Sequence, residues 1–170
     1  MSEGYLDVAG EIAGLYEEAF LNEEAKEYYR QGAQYATDSK VKKQCMEGYA
    51  RCKARIDRRR VQIEEAAPSY NQCSRGLVGQ KRDGFLRLLD LAKKGNTYAA
   101  LRFAQTAEQD SYLQDVITEF PSENEIFAYY VKAAEAGEHE AMSRLADIYE
   151  YGQLGQRKDM SAAQKWRKKL

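Results

Sequence analysis

The sequence predicts an all-α fold built from antiparallel helix pairs, and three observations carry that expectation. Ala, Glu, Lys, Arg, Gln and Leu dominate the 170 residues, and these side chains keep most of their freedom in a helix. Only two prolines, Pro68 and Pro121, interrupt the chain, and the short alternating Val/Ile/Thr runs that make half-buried strands are missing. The third observation is an internal repeat. With Gly95 set on Gly137, Phe85 falls on Phe127, Ala92 on Ala134, Ala99 on Ala141, Arg102 on Arg144 and Ala104 on Ala146, a spacing of 42 residues. With Tyr129 set on Trp166, Lys132 falls on Lys169, 37 residues on.

The elements follow in order. Ala9, Ile12, Ala13 and Tyr16 lie at helical spacing and give a first helix one packing face. Ala25, Tyr28, Tyr29, Gly32 and Ala33 do the same for a second. A third starts near Ser39, turns Val41, Cys45, Met46, Tyr49 and Cys52 inward, and runs to about Glu65. Pro68 and the glycines at 76, 79 and 84 then predict a loop or linker over residues 68–84, with helical hairpins before it (1–67) and the repeat-bearing block after it (85–170).

In that block the helix holding Ala99 should extend to Ile117 and stop before Pro121. Ser122 and Glu125 form a Ser-x-x-Glu capping box for the helix with Phe127, Tyr129 and Tyr130. Ala141, Leu145, Ile148 and Tyr149 mark the next packing face. Gly152 should end it, because glycine takes the left-handed cap conformation freely, and Gly155 permits a second bend. Asp159 caps a last helix in which Ala162, Ala163 and Trp166 face a neighbour.

The stretch Ala-Met-Ser-Arg-Leu-Ala-Asp-Ile-Tyr-Glu-Tyr-Gly-Gln-Leu-Gly from Ala141, then Asp159 to Trp166, resembles the Sel-one-like repeat, a relative of the tetratricopeptide repeat. Lys-Ala-Ala-Glu-Ala-Gly from Lys132 to Gly137 resembles that family's junction between repeats, and residues 1–67 look like plainer tetratricopeptide hairpins. The turn is one residue longer than the usual Gly-x-Gly, the unit from Ala99 has no glycine turn, and the last unit is incomplete at Leu170. The resemblance implies a right-handed α-α superhelix, a solenoid, whose first helices line a concave groove. It implies an adaptor, chaperone-like or regulatory scaffold that binds a partner protein or peptide. In that arrangement Tyr98, Gln105, Glu108, Glu140, Asp147, Glu150 and Tyr151 fall on the groove, an acidic surface bearing tyrosines that favours a basic partner.

Charge is segregated along the chain although the net value is −1. Residues 1–30 hold eight acids against two bases, residues 40–60 nine bases against two acids, and residues 104–150 eleven acids against two bases. The basic stretch offers the alternative readings, a nucleic-acid grip through counterion release or self-association through the charge blocks. Nucleic acid is disfavoured by the acidic blocks and by the lack of aromatics interleaved with the bases.

Nothing in the residue pattern marks an enzyme, a metal site or a cofactor site. His139 has no ligand-spaced partner, and Cys45 and Cys52, seven apart, read as core. Three sparse cysteines, no signal-peptide pattern at Met1–Asp7 and no apolar run of bilayer length predict a cytoplasmic protein with reduced thiols and no membrane span, the alternative being a periplasmic or secreted one whose signal peptide has been removed.

Overall fold

A computed structural model describes residues 8–170, so the N-terminal stretch read for a signal peptide lies outside the described residues. Among these residues there are nine helices and no strand: α1 (Ala9–Glu18), α2 (Asn22–Tyr35), α3 (Ser39–Arg75), α4 (Val78–Lys93), α5 (Thr97–Gln109), α6 (Ser111–Val116), α7 (Glu123–Glu135), α8 (His139–Tyr151) and α9 (Met160–Arg167). They form two compact units, the first ending at Arg60 and the second running Val61–Leu170, and α3 contributes residues to each. No helix among the described residues is long and apolar enough to cross a membrane.

The first unit packs α1, α2 and the start of α3 around Ala13, Ala25, Tyr29, Cys45 and Cys52. Its helices approach closely because glycine stands where they touch. A Cβ on Gly32 would lie 2.4 Å from the Cys45 sulfur, and one on Gly48 would lie 2.5 Å from the Tyr29 ring. Cys45 and Cys52 are buried, free thiols, as their spacing predicted. Met46 is a correction: it was expected inside and is 63% exposed, because it follows Cys45 by one residue and points about 100° away around the helix.

The segment 68–84, expected to be a loop, is another correction. The helix continues through Pro68 to Arg75, only Gly76 and Leu77 stand outside helix, and α4 starts at Val78. Ala66, Ser69 and Cys73 are buried at helical spacing, so tertiary packing outweighs the breakers. Pro68 and Glu64, whose carbonyl loses its donor, are both exposed, so water can satisfy that group. Gly84 serves a helix contact: its Cβ would meet the Ser69 carbonyl oxygen at 2.7 Å and the Cys73 nitrogen at 2.9 Å.

The second unit is a succession of hairpins, the end of α3 with α4, α5 with α7, and α8 with α9. α4 packs on α5, α5 on α7, α7 on α8 and α8 on α9. The 42-residue register recurs in the turns. Gly95 and Gly137 have φ of 99° and 97°. Each donates to the carbonyl three residues back, and the next residue donates to the one five back (Asn96 to Leu91, Glu138 to Ala133). The 37-residue register recurs too, since the ammonium of Lys132 sits 5.9 Å from the Tyr129 ring and that of Lys169 4.6 Å from the Trp166 ring.

The caps follow the sequence at Ser122–Glu125, at Gly152 (φ 69°), at Gly155 (φ 72°) and at Asp159, which accepts from the Ala162 N–H. The expected helix to Ile117 instead breaks at Asp110. The carboxylate there accepts from the N–H groups of Tyr112 and Leu113 and starts the short helix α6.

Trp166 is half-buried. Trp166→Ala should therefore cost about 1–2 kcal/mol, below the ~3–5 typical of a fully buried aromatic. Urea denaturation followed by circular dichroism measures this, and an unchanged midpoint would contradict the placement of Trp166 against its neighbours.

Candidate functional site

The helices that open the hairpins of the second unit (residues 61–75 of α3, then α5 and α8) are joined by polar side chains. Between α3 and α5, the Asn96 amide donates to the Gln62 carbonyl at 3.0 Å and to Glu65 at 2.9 Å, while its oxygen caps α5 through the Ala99 N–H. The Thr97 hydroxyl donates to the Gln62 side chain at 2.9 Å. Asn96 is buried, so these bonds replace the water it loses on folding.

Between α5 and α8 two arginines cross in opposite directions. Arg102 of α5 donates to both oxygens of Glu140 on α8, at 2.9 and 3.2 Å, and to Gln105 at 2.8 Å. Its guanidinium lies between two rings, 4.9 Å from Tyr98 and 5.0 Å from Tyr70. Arg144 of α8 donates to both oxygens of Glu108 on α5, at 2.6 and 3.1 Å, and to Gln153 at 2.7 Å. Glu108 also accepts from the buried Tyr130 hydroxyl at 2.5 Å. Such bidentate geometry fixes the guanidinium plane as well as its position.

The sequence-predicted residues are thus brought together, but not as a free acidic surface. Tyr98 stacks on Arg102. Gln105 donates to Glu140 at 3.0 Å, and Glu140 and Glu108 are each held by an arginine. Asp147 and Glu150 both meet Arg167 of α9, Asp147 at 3.6 Å, with the Arg167 guanidinium donating a hydrogen bond to Glu150. Tyr151 is 58% exposed. The sequence reading missed Arg102, Arg144, Arg167, Tyr70 and Tyr130. The repeat alignment of Arg102 with Arg144 was the available signal for the first two. His139 opens α8 and is half-buried.

Burial raises the Glu108 carboxyl, but the hydrogen bonds from Arg144 and Tyr130 outweigh it and hold the group below its ordinary 4.5. Glu17 of the first unit is lowered in the same way: burial raises it, and bonds from Arg51 and Tyr29 outweigh that. A depressed folded-state value means stability that is complete above the unfolded pKa and lost as pH falls through the folded one. Acid titration of the folded chain should therefore show stability falling below about pH 4.5. Glu108→Gln should flatten that fall as read by the fluorescence of the single tryptophan, and an equally steep fall in the variant would contradict the assignment.

Part of the basic stretch 40–60 is engaged internally. Arg51 and Arg55 both bond Glu17, at 3.1 and 2.8 Å, and Arg60 pairs with Asp57 at 3.3 Å. The thiol of Cys73 is pushed up to about 12 by burial, so it stays protonated at neutral pH. Among the described residues, no group of three or more His, Cys, Asp and Glu is placed to hold a metal ion. No protein-family model, no curated protein and no solved structure matches the chain.

Proposed function

We propose that this chain is a protein-interaction module, an adaptor or regulatory scaffold. It binds a partner protein or peptide along the side-by-side first helices of its second unit, the wall of a solenoid-like groove. The observation that supports this reading most is that the row is ordered in advance. Arg102 is clamped by two rings and a carboxylate, and Arg144 is held at both oxygens of Glu108, so little side-chain entropy remains to be lost on binding. Tyr98 and Tyr151 add aromatic area of the kind that carries binding energy at interfaces. The resemblance to Sel-one-like and tetratricopeptide repeats supports the same reading.

Because its acids are paired with arginines, the row discriminates by the pattern of its charges more than by net charge. A nucleic-acid role for α3 has less support, since Glu17 already engages two of its arginines and Tyr49 packs inward.

Affinity capture from the native cell with the wild-type chain and with Tyr98→Ser/Gln105→Ala/Tyr151→Ser tests the proposal. The partner recovered by the wild type should be lost by the variant at an unchanged helical signal. Equal recovery by both would contradict the reading.

A further inference from the structure

We propose that Asp147, Glu150 and Tyr151 form a docking site for an arginine side chain carried on a helix of the partner protein, and that Arg167 fills this site when no partner is bound. The inference rests on the protein-binding reading of the row and names what one end of the row takes.

The second unit builds a guanidinium site twice between neighbouring first helices. Arg102 has the rings of Tyr98 and Tyr70 with the carboxylate of Glu140, and Arg144 has the carboxylate of Glu108. The 42-residue register puts Asp147 where Gln105 stands and Glu150 where Glu108 stands. Glu150 therefore occupies, on α8, the position from which Glu108 on α5 receives an arginine from the helix alongside. Tyr151, one turn beyond Asp147 on the same helix face, supplies an exposed ring on the Asp147 side, at the four-residue spacing that Tyr98 has to Arg102.

The present occupant, Arg167, comes from α9 of the same hairpin; it and Asp147 are close to half exposed, while Glu150 is 22% exposed. Because the arginine end lies largely in solvent, the pairing contributes little and an incoming guanidinium can displace it. The edge of α8 is also more polar than that of α5. Exposed Ser143 stands where Leu101 is buried, so the contact expected here is charge-directed and sensitive to salt, unlike an apolar seam.

The internal template supplies the probe. A peptide copying residues 137–153, which carries Arg144, is titrated onto the isotope-labelled full chain and followed by NMR. Shifts should centre on Asp147, Glu150 and Tyr151, weaken at high salt, and vanish with an Arg144→Gln peptide or with Asp147→Asn/Glu150→Gln in the chain. Arg167→Ala should tighten binding by about two- to fivefold, the equilibrium effect of removing its weak pairing with Asp147 and Glu150. Shifts that survive Arg144→Gln, or an Arg167→Ala chain that binds no more tightly, overturn the proposal. Shifts confined to Tyr98 and Gln105 overturn it while leaving the row as a protein-binding surface.

Discussion

Arg144→Ala is expected to destabilise the second unit by about 3 kcal/mol, the scale for breaking a partly buried ion pair from one side. Three effects act together. The two bonds to Glu108 disappear, the bond to Gln153 disappears, and the Glu108 carboxylate is left to the Tyr130 hydroxyl in a mostly buried place. The stranded charge is the largest of these, so removing it as well should recover stability. Arg144→Ala/Glu108→Gln is expected to be more stable than the sum of the two single losses by about 1–2 kcal/mol. Urea unfolding read by Trp166, the single tryptophan, measures all three variants on the same unit. Strict additivity would mean that the two side chains do not meet in solution.

Gly84→Ala should destabilise by about 2–3 kcal/mol, although alanine is the better helix former by about 1 kcal/mol. The sign turns on one contact. The added Cβ would sit 2.7 Å from the Ser69 carbonyl oxygen and 2.9 Å from the Cys73 nitrogen, both backbone atoms that cannot swing aside. Gly79, five residues earlier in the same helix, is the matched comparison, since a Cβ there meets nothing within 4 Å. Gly79→Ala should raise stability by about 0.5–1 kcal/mol. If both substitutions stabilise, α4 does not cross α3 at Gly84.

Gly84 also shows where the sequence can be read and where it cannot. Local signals with local causes translate directly: the Ser122–Glu125 box, the left-handed Gly152 and the Asp159 cap each depend on residues within one turn. The repeat register is as direct, because Gly95 and Gly137 need the same φ and Lys132 and Lys169 reach a ring three residues back. A glycine that lets two helices touch looks the same in sequence as one that ends a helix, and so residues 68–84 read as a loop.

The pairing of the acids was hidden for another reason. Glu108 and Arg144 are 36 residues apart, and Arg102 and Glu140 are 38 apart. Those pairs exist only if α5 and α8 lie side by side. Read along one helix, Glu108, Glu140, Asp147 and Glu150 look like an acidic stripe. Read across neighbouring helices, each has an arginine.

In the proposed complex the first helices of the second unit, and not the second ones, face the partner. A photo-crosslinking side chain placed singly at Tyr98 and at Ser143 on first helices, and at Ala128 and at Gln164 on second helices, tests it in the native cell. Tyr98 is partly buried and the other three positions are exposed, so accessibility alone does not favour the first-helix set. One partner protein should be cross-linked from Tyr98 and Ser143 and not from Ala128 or Gln164. Cross-links from the second-helix positions with none from the first would contradict it.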